Sequence, residues 1–150
     1  MADFVFDASA VLAIAFKEPG ADNAIARMSG ASISSVNYSE AGAKLIDKGF
    51  GTEEAFQWLD ALRFEVFQFD KDFALRAASL RGVARQKRLS FADRACLALT
   101  IARGAIAVTT DRAWTTLDLP CAVELIREPG LPARHLGQAF RPLHPLEHFR

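Results

Sequence analysis

The chain is poor in the residues on which many small proteins depend. Two cysteines in 150 residues, Cys96 and Cys121, stand apart with no second cysteine nearby, so neither a disulfide framework nor a zinc pattern is expected. Both read as packed thiols. The three histidines, His135, His144 and His148, all fall near the C-terminus, and Pro145 between the last two breaks any helical metal pair. That placement argues against a ribonuclease in which histidines serve as general base and acid for attack by a substrate 2′-hydroxyl. No apolar run approaches the roughly 20 residues of a membrane span, and no basic segment leads into a signal-type stretch at the N-terminus. A cytoplasmic protein without a membrane partner is expected. Eighteen basic residues balance eighteen acidic ones. With no net charge, any affinity for phosphate must come from a local patch.

What is present is half hydrophobic and one quarter charged, the profile of a single globular domain with a core of its own. The pattern begins with Phe4-Val5-Phe6, an apolar run ending on Asp7. It reads as a strand covered on both faces, followed by a buried helix over Ala10 to Phe16. Further helices are expected over Ala21 to Met28, Val36 to Lys48 with Ser34 or Ser35 as cap, Thr52 to Arg63, Asp70 to Lys87, and Ser90 to Arg103. A short helical turn is expected from Asp111 to Leu117. Strands are expected over Ala31 to Ser34, Glu65 to Phe69, Ala105 to Val108 and Ala122 to Ile126. Strands alternating with helices predict a three-layer α/β/α domain over residues 1–126 with a mainly parallel central sheet. From Arg127 the composition shifts to Pro, Arg and His, and residues 127–150 read as an irregular tail.

Four acids stand where a fold alone does not require them. Asp7 and Asp111 follow the two most apolar strands, and Glu40 and Asp93 open helices. Each has a plainer use: Asp7 and Asp111 as helix caps, Glu40 as a partner of the helix dipole, and Asp93 as half of a capping box with Ser90. Their shared placement says more. In a parallel sheet, the strand carboxyl ends and following helix N-termini lie on one side, so all four can meet in one crevice. Gathered carboxylates repel and raise one another's pKa unless a cation joins them. Oxygen-only donors favour hard ions such as Mg²⁺ or Mn²⁺, and such ions suit phosphodiester hydrolysis.

The segments Phe6-Asp7-Ala8-Ser9, Ser35-Val36-Asn37-Tyr38-Ser39-Glu40, Ser90-Phe91-Ala92-Asp93 and Thr109-Thr110-Asp111-Arg112-Ala113-Trp114 resemble the four acidic motifs of the PIN domain, most closely those of VapC-type toxins of bacterial toxin-antitoxin pairs. The resemblance covers Ala2 to Ile126. It implies an endoribonuclease toxin dependent on Mg²⁺, with Mn²⁺ able to substitute, that cuts RNA by hydrolysis to leave a 5′-phosphate and a 3′-hydroxyl. It also implies a homodimer inhibited by a cognate VapB-type antitoxin. Asp7, Glu40, Asp93 and Asp111 would be the catalytic metal-holding acids, and Ser9 and Thr109 would support them by hydrogen bonds. The tail is less typical of the family.

Arg81, Arg85 and Arg88, with Lys87 beside them, recur at helical spacing and are expected to form a basic strip for RNA phosphates. A solvated helix face is the alternative. Arg94 and Arg112 each follow a proposed metal-holding acid and are assigned to RNA as well, with pairing to a nearby acid as the plainer use. Phe50, Phe56 and Trp58 are candidates for a dimer or antitoxin surface, although core packing suits Phe56, and Trp58 is expected at the core's edge. Three other functions compete. A PIN-like nuclease could act on DNA, and a non-catalytic RNA-binding module would tolerate loss of an acid. A receiver-like signalling domain needs a second acid beside Asp7 and a lysine after Ala105 to Val108; the chain has neither.

Overall fold

The computed structural model describes residues 3–83 and 89–127. Five parallel strands form one sheet: β1 (Phe4–Phe6), β2 (Ser32–Ser34), β3 (Glu65–Phe67), β4 (Ile106–Thr109) and β5 (Ala122–Leu125), in the order β3-β2-β1-β4-β5. The chain steps outward from β1 through β2 to β3, then returns to lay β4 against the other side of β1. The strand order therefore reverses between β1 and β4, the place where an open α/β sheet leaves a crevice at its carboxyl edge. Pairing of Phe4, Val5 and Phe6 with Ile106, Ala107 and Val108 fixes the register there. The Asp7 N–H extends it by donating to the Val108 carbonyl at 3.0 Å.

The helices are α1 (Ala8–Ala15), α2 (Ala21–Ala26), α3 (Ser35–Asp47), α4 (Thr52–Ala61), α5 (Lys71–Ser79) and α6 (Phe91–Arg103), with a 3₁₀ turn at Arg112–Thr116. They divide between the two faces of the sheet. Phe6 and Val108 join one core with Val11, Ile14, Leu45, Trp58 and Leu59 from α1, α3 and α4. Val5 and Ala107 point the other way, into a core with Leu97 and Leu99 of α6, Leu80 and Trp114. Alternate residues of one strand thus serve opposite layers, which is why β1 and β4 are apolar at successive positions. In α1 every residue but Ser9 is buried.

Two expectations need correction. The helix expected from Asp70 to Lys87 is interrupted: α5 ends at Ser79, Leu80 is a turn, and residues 81–83 resume helical geometry. Ser79 Oγ donates to the Leu75 carbonyl at 3.0 Å and the Arg76 carbonyl at 2.8 Å, while the Leu80 N–H falls back to Ala77. A serine hydroxyl competing for helical carbonyls is a known way to loosen a turn. Trp58 is not at the core's edge but fully buried, and Phe50 is 7% exposed. Phe56 packs against the same core, its ring filling the space over Gly42 where a Cβ would collide with it. Phe50 and Trp58 thus offer little outward surface, while Phe56 is partly exposed.

Arg85, Lys87 and Arg88 lie outside the described residues, as do the three histidines and the expected tail apart from Arg127. Cys96 is buried and Cys121 partly so. Among the described residues, no helix is long and apolar enough to cross a membrane.

Candidate active site

Asp7 occupies the carboxyl end of β1 at the switch point and is 4% exposed. It is the N-terminal flanking residue of α1, yet its carboxylate makes no cap bond to that helix. Instead its Oδ2 receives two hydroxyls, Ser9 Oγ at 2.7 Å and Thr109 Oγ1 at 2.9 Å. Each hydroxyl also accepts a backbone N–H from the segment after β4: Ser9 from Thr110 at 3.1 Å, Thr109 from Asp111 at 3.1 Å. Since a hydroxyl carries one hydrogen, both are committed to Asp7, and the 3.3 Å approach between them is a contact without its own proton. The ends of β1 and β4 are thereby joined through one carboxylate oxygen. Among the described residues, Oδ1 has no hydrogen-bond partner.

Burial pushes the Asp7 carboxyl up to about 6. The bond from Ser9 opposes this, the negative charge of Asp93 adds to it, Thr109 opposes it again, and Glu40 adds a smaller push. Desolvation of a carboxylate with like charges nearby raises its pKa, and donated hydrogen bonds lower it.

Asp93 holds α6 at its start through the capping box foreseen as its plainer use. Its Oδ2 accepts the Ser90 N–H at 2.9 Å, and the Asp93 N–H donates to Ser90 Oγ at 3.1 Å. The cap does not exhaust the group, since among the described residues Oδ1 has no hydrogen-bond partner. Its carboxyl is raised, first by burial, with Asp111 adding to the rise; the Ser90 bonds and the cation Lys44 act the other way. Asp111 caps the 3₁₀ turn, Oδ1 accepting from the Ala113 N–H at 2.9 Å, and is otherwise exposed. Glu40 lies partly buried in α3. The four acids therefore form a chain of like charges, with Asp7 feeling Asp93 and Glu40, and Asp93 feeling Asp111.

This donor set suits a hard divalent cation in kind: all oxygen, with unused carboxylate oxygens on Asp7 and Asp93 and repulsion that a cation would relieve. It is not a closed coordination cage, because among the described residues no three acidic, histidine or cysteine side chains converge closely enough to ligate one ion. Buried Cys96 is no nucleophile here. Burial, with the nearby Asp7 charge, drives its thiol upward, away from the thiolate.

The assigned arginines divide. Arg94 turns to α5, donating to the Ala77 carbonyl at 3.3 Å with its guanidinium 5.9 Å from the Phe91 ring centre. Arg81 and Arg112 are exposed. Two residues near the acids were not singled out from sequence. Lys44 stands one helical turn beyond Glu40, a spacing that was available as a signal. Asn37, fully buried in the first turn of α3, donates Nδ2 to the Ala92 carbonyl at 3.0 Å; an asparagine between helix cap and acid carries no comparable signal. An open hollow over Gly51, Thr52, Glu53, Glu54 and Gln57 belongs to α4 and contains none of the four acids.

A PIN domain family model matches residues 4–118. No curated protein gives a match. Among solved structures, VapBC2 from Rickettsia felis bound to a promoter DNA fragment is similar, with TM-score 0.65 at 18% identity over 82% of this chain and 98% of that one. DNA-bound VapBC from Salmonella typhimurium gives TM-score 0.65 at 20% identity over 84% and 99%. VapBC-5 from Mycobacterium tuberculosis gives 0.54 at 23% identity over 85% and 100%. At these identities the likeness is one of fold.

Proposed function

The chain belongs to the PIN domain family, and from that premise we propose that it is a VapC-type toxin, an endoribonuclease that hydrolyses RNA with a divalent cation, Mg²⁺ or Mn²⁺. The observation that carries this reading is Asp7, a buried carboxyl raised to about 6, with one oxygen pinned by two hydroxyls and the other unengaged. A buried carboxylate with no cationic side chain bonded to it among the described residues supports a site for a guest cation.

In this reading Asp7, Glu40, Asp93 and Asp111 hold the cation, which when bound supplies activation of water and offsets charge on the leaving oxygen. Ser9 and Thr109 fix Oδ2 of Asp7, leaving Oδ1 as the oxygen that would hold the cation. Ser90 does the same for Asp93 by engaging Oδ2. Exposed Arg112 and Arg81 bind substrate phosphates, and the same role is proposed for Arg85 and Arg88. Arg94 acts from its seat against α5 by supporting the start of α6. The VapBC assemblies of similar fold support a VapB-type protein partner, and a homodimer is part of the same proposal.

A second reading, a nucleic-acid-binding module without catalysis, draws on the use of Asp93 and Asp111 as caps. One experiment separates the two. The purified chain and its Asp93→Asn variant are incubated with a labelled RNA pool and matched single-stranded DNA in Mg²⁺, Mn²⁺ or chelator, and product ends are analysed. The nuclease reading requires cation-dependent cuts in RNA that leave 5′-phosphates and disappear in the variant. Binding of RNA without cleavage by folded, cation-loaded protein would favour the module.

A further inference from the structure

Asn37 is fully buried, and its side chain makes one bond where it has the capacity for several. Nδ2 donates to the Ala92 carbonyl at 3.0 Å, while Oδ1 is buried with no partner among the described residues. A leucine of similar size would fill the same space without an unpaired acceptor. What leucine would forfeit is the bond that the carboxamide donates.

That bond reaches a sensitive place. The Ala92 carbonyl and the Asp93 N–H belong to one peptide unit. Asn37 grips its carbonyl edge and Ser90 Oγ its amide edge at 3.1 Å, while the Ser90 N–H holds Asp93 Oδ2 at 2.9 Å. The backbone and one carboxylate oxygen of Asp93 are thus fixed, and Oδ1 has no partner among the described residues. Asn37 itself lies on α3 one turn before Glu40. We infer that Asn37 is a positioning residue: by tying α3 to the first turn of α6, it sets Glu40 and Asp93 at the separation needed to share a cation. The inference rests on the proposed nuclease site for its purpose, though not for its structural content.

The test uses the full chain with Asn37→Leu, which keeps the volume and removes the donor. Asn37→Ser serves beside it, one bond too short to make the same contact and unable to overfill the core. Mn²⁺ affinity is measured by calorimetry in the wild-type and Asp93→Asn backgrounds, and backbone amide exchange is measured in the metal-free proteins. Positioning predicts a loss of about tenfold in Mn²⁺ affinity, the scale seen when a group that orients a ligand is removed. In the Asp93→Asn background the further loss shrinks to about twofold or less, because the two changes act on one ligand. Exchange of the Asp93 amide quickens in the metal-free variants while that of Val5 and Ala107 holds. Unchanged Asp93 exchange in both variants would overturn the inference, as would equal affinity losses in both backgrounds. Failure of the wild type to bind Mn²⁺ would instead strike the nuclease reading, with amide exchange still deciding the role of Asn37.

Discussion

Thr109 Oγ1 donates to Asp7 Oδ2 at 2.9 Å across the β1/β4 junction, joining residues 102 positions apart in the chain. The same oxygen accepts the Asp111 N–H, so one hydroxyl couples the first acid to the backbone of the fourth. The β1/β4 register makes this possible by pairing Phe6 with Val108, one residue before each partner.

Removing that hydroxyl while keeping its shape isolates its contribution. Thr109→Val leaves the Asp111 N–H without its acceptor and Asp7 with a single donor. The expected loss is about 1–3 kcal/mol in urea unfolding, together with a further rise in the Asp7 pKa, since the Thr109 bond lowers it. Unchanged stability and an unchanged pH profile would show the hydroxyl to be dispensable.

Asp7 gives the metal-free protein a pH dependence of definite sign. Its folded-state pKa, about 6, lies above the ordinary 3.8, so the folded chain holds this proton more tightly than the unfolded one. The stability gained is fully present below pH 3.8 and is lost as pH rises through about 6. Asp7→Asn should therefore stabilise the metal-free protein at pH 8 by on the order of 2 kcal/mol, with little gain at pH 4, while abolishing cleavage. Thermal unfolding at the two pH values checks it. An Asp7→Asn protein less stable than wild type at pH 8 would contradict the burial argument.

Ser90 and Asp93 divide a structural from a chemical role. Asp93→Asn keeps an acceptor oxygen for the Ser90 N–H, so α6 stays capped while cation binding weakens and RNA cleavage is lost. Ser90→Ala removes the acceptor of the Asp93 N–H and should cost about 1 kcal/mol of stability. It also loosens Asp93, so cleavage should fall without vanishing. Circular dichroism melts and single-turnover rates on the two variants make the comparison.

Gly20 carries a stability prediction remote from the acids. Its φ is +95°, and a Cβ there would run into the Ile126 carbonyl, which also receives Asn23 Nδ2 at 3.4 Å. Gly20→Ala combines left-handed strain with a backbone collision, so a loss of more than about 1 kcal/mol is expected. The damage should centre on β5, whose Glu124 pairs with Arg27 at 2.5 Å. Amide exchange along Ala122–Leu125 would report it, and a melting temperature equal to wild type would refute it.

Much of the architecture was legible because burial writes itself into local pattern. Phe4-Val5-Phe6 and Ala105 to Val108 are apolar at successive positions because both faces of the sheet are covered, and Ser34 and Ser90 announce helix starts by the bonds that they make. The break at Leu80 in the helix expected from Asp70 was not legible because spacing does not reveal that the Ser79 hydroxyl turns onto the carbonyls of Leu75 and Arg76. Trp58 was misplaced because a large aromatic suits the rim or the centre of a core equally, and only the packing of α4 on α3 decides.

For the site, the sequence determined which acids the chain possesses and that each follows a strand or lies early in a helix. Tertiary structure decided the bonds between distant segments: Thr109 reaches Oδ2 of Asp7, and Asn37 holds the peptide before Asp93. Local pattern arises from each residue's own exposure and backbone preference, so it survives in a short window of sequence. Hydrogen bonds and desolvation between distant segments depend on strand order and register, which no window contains.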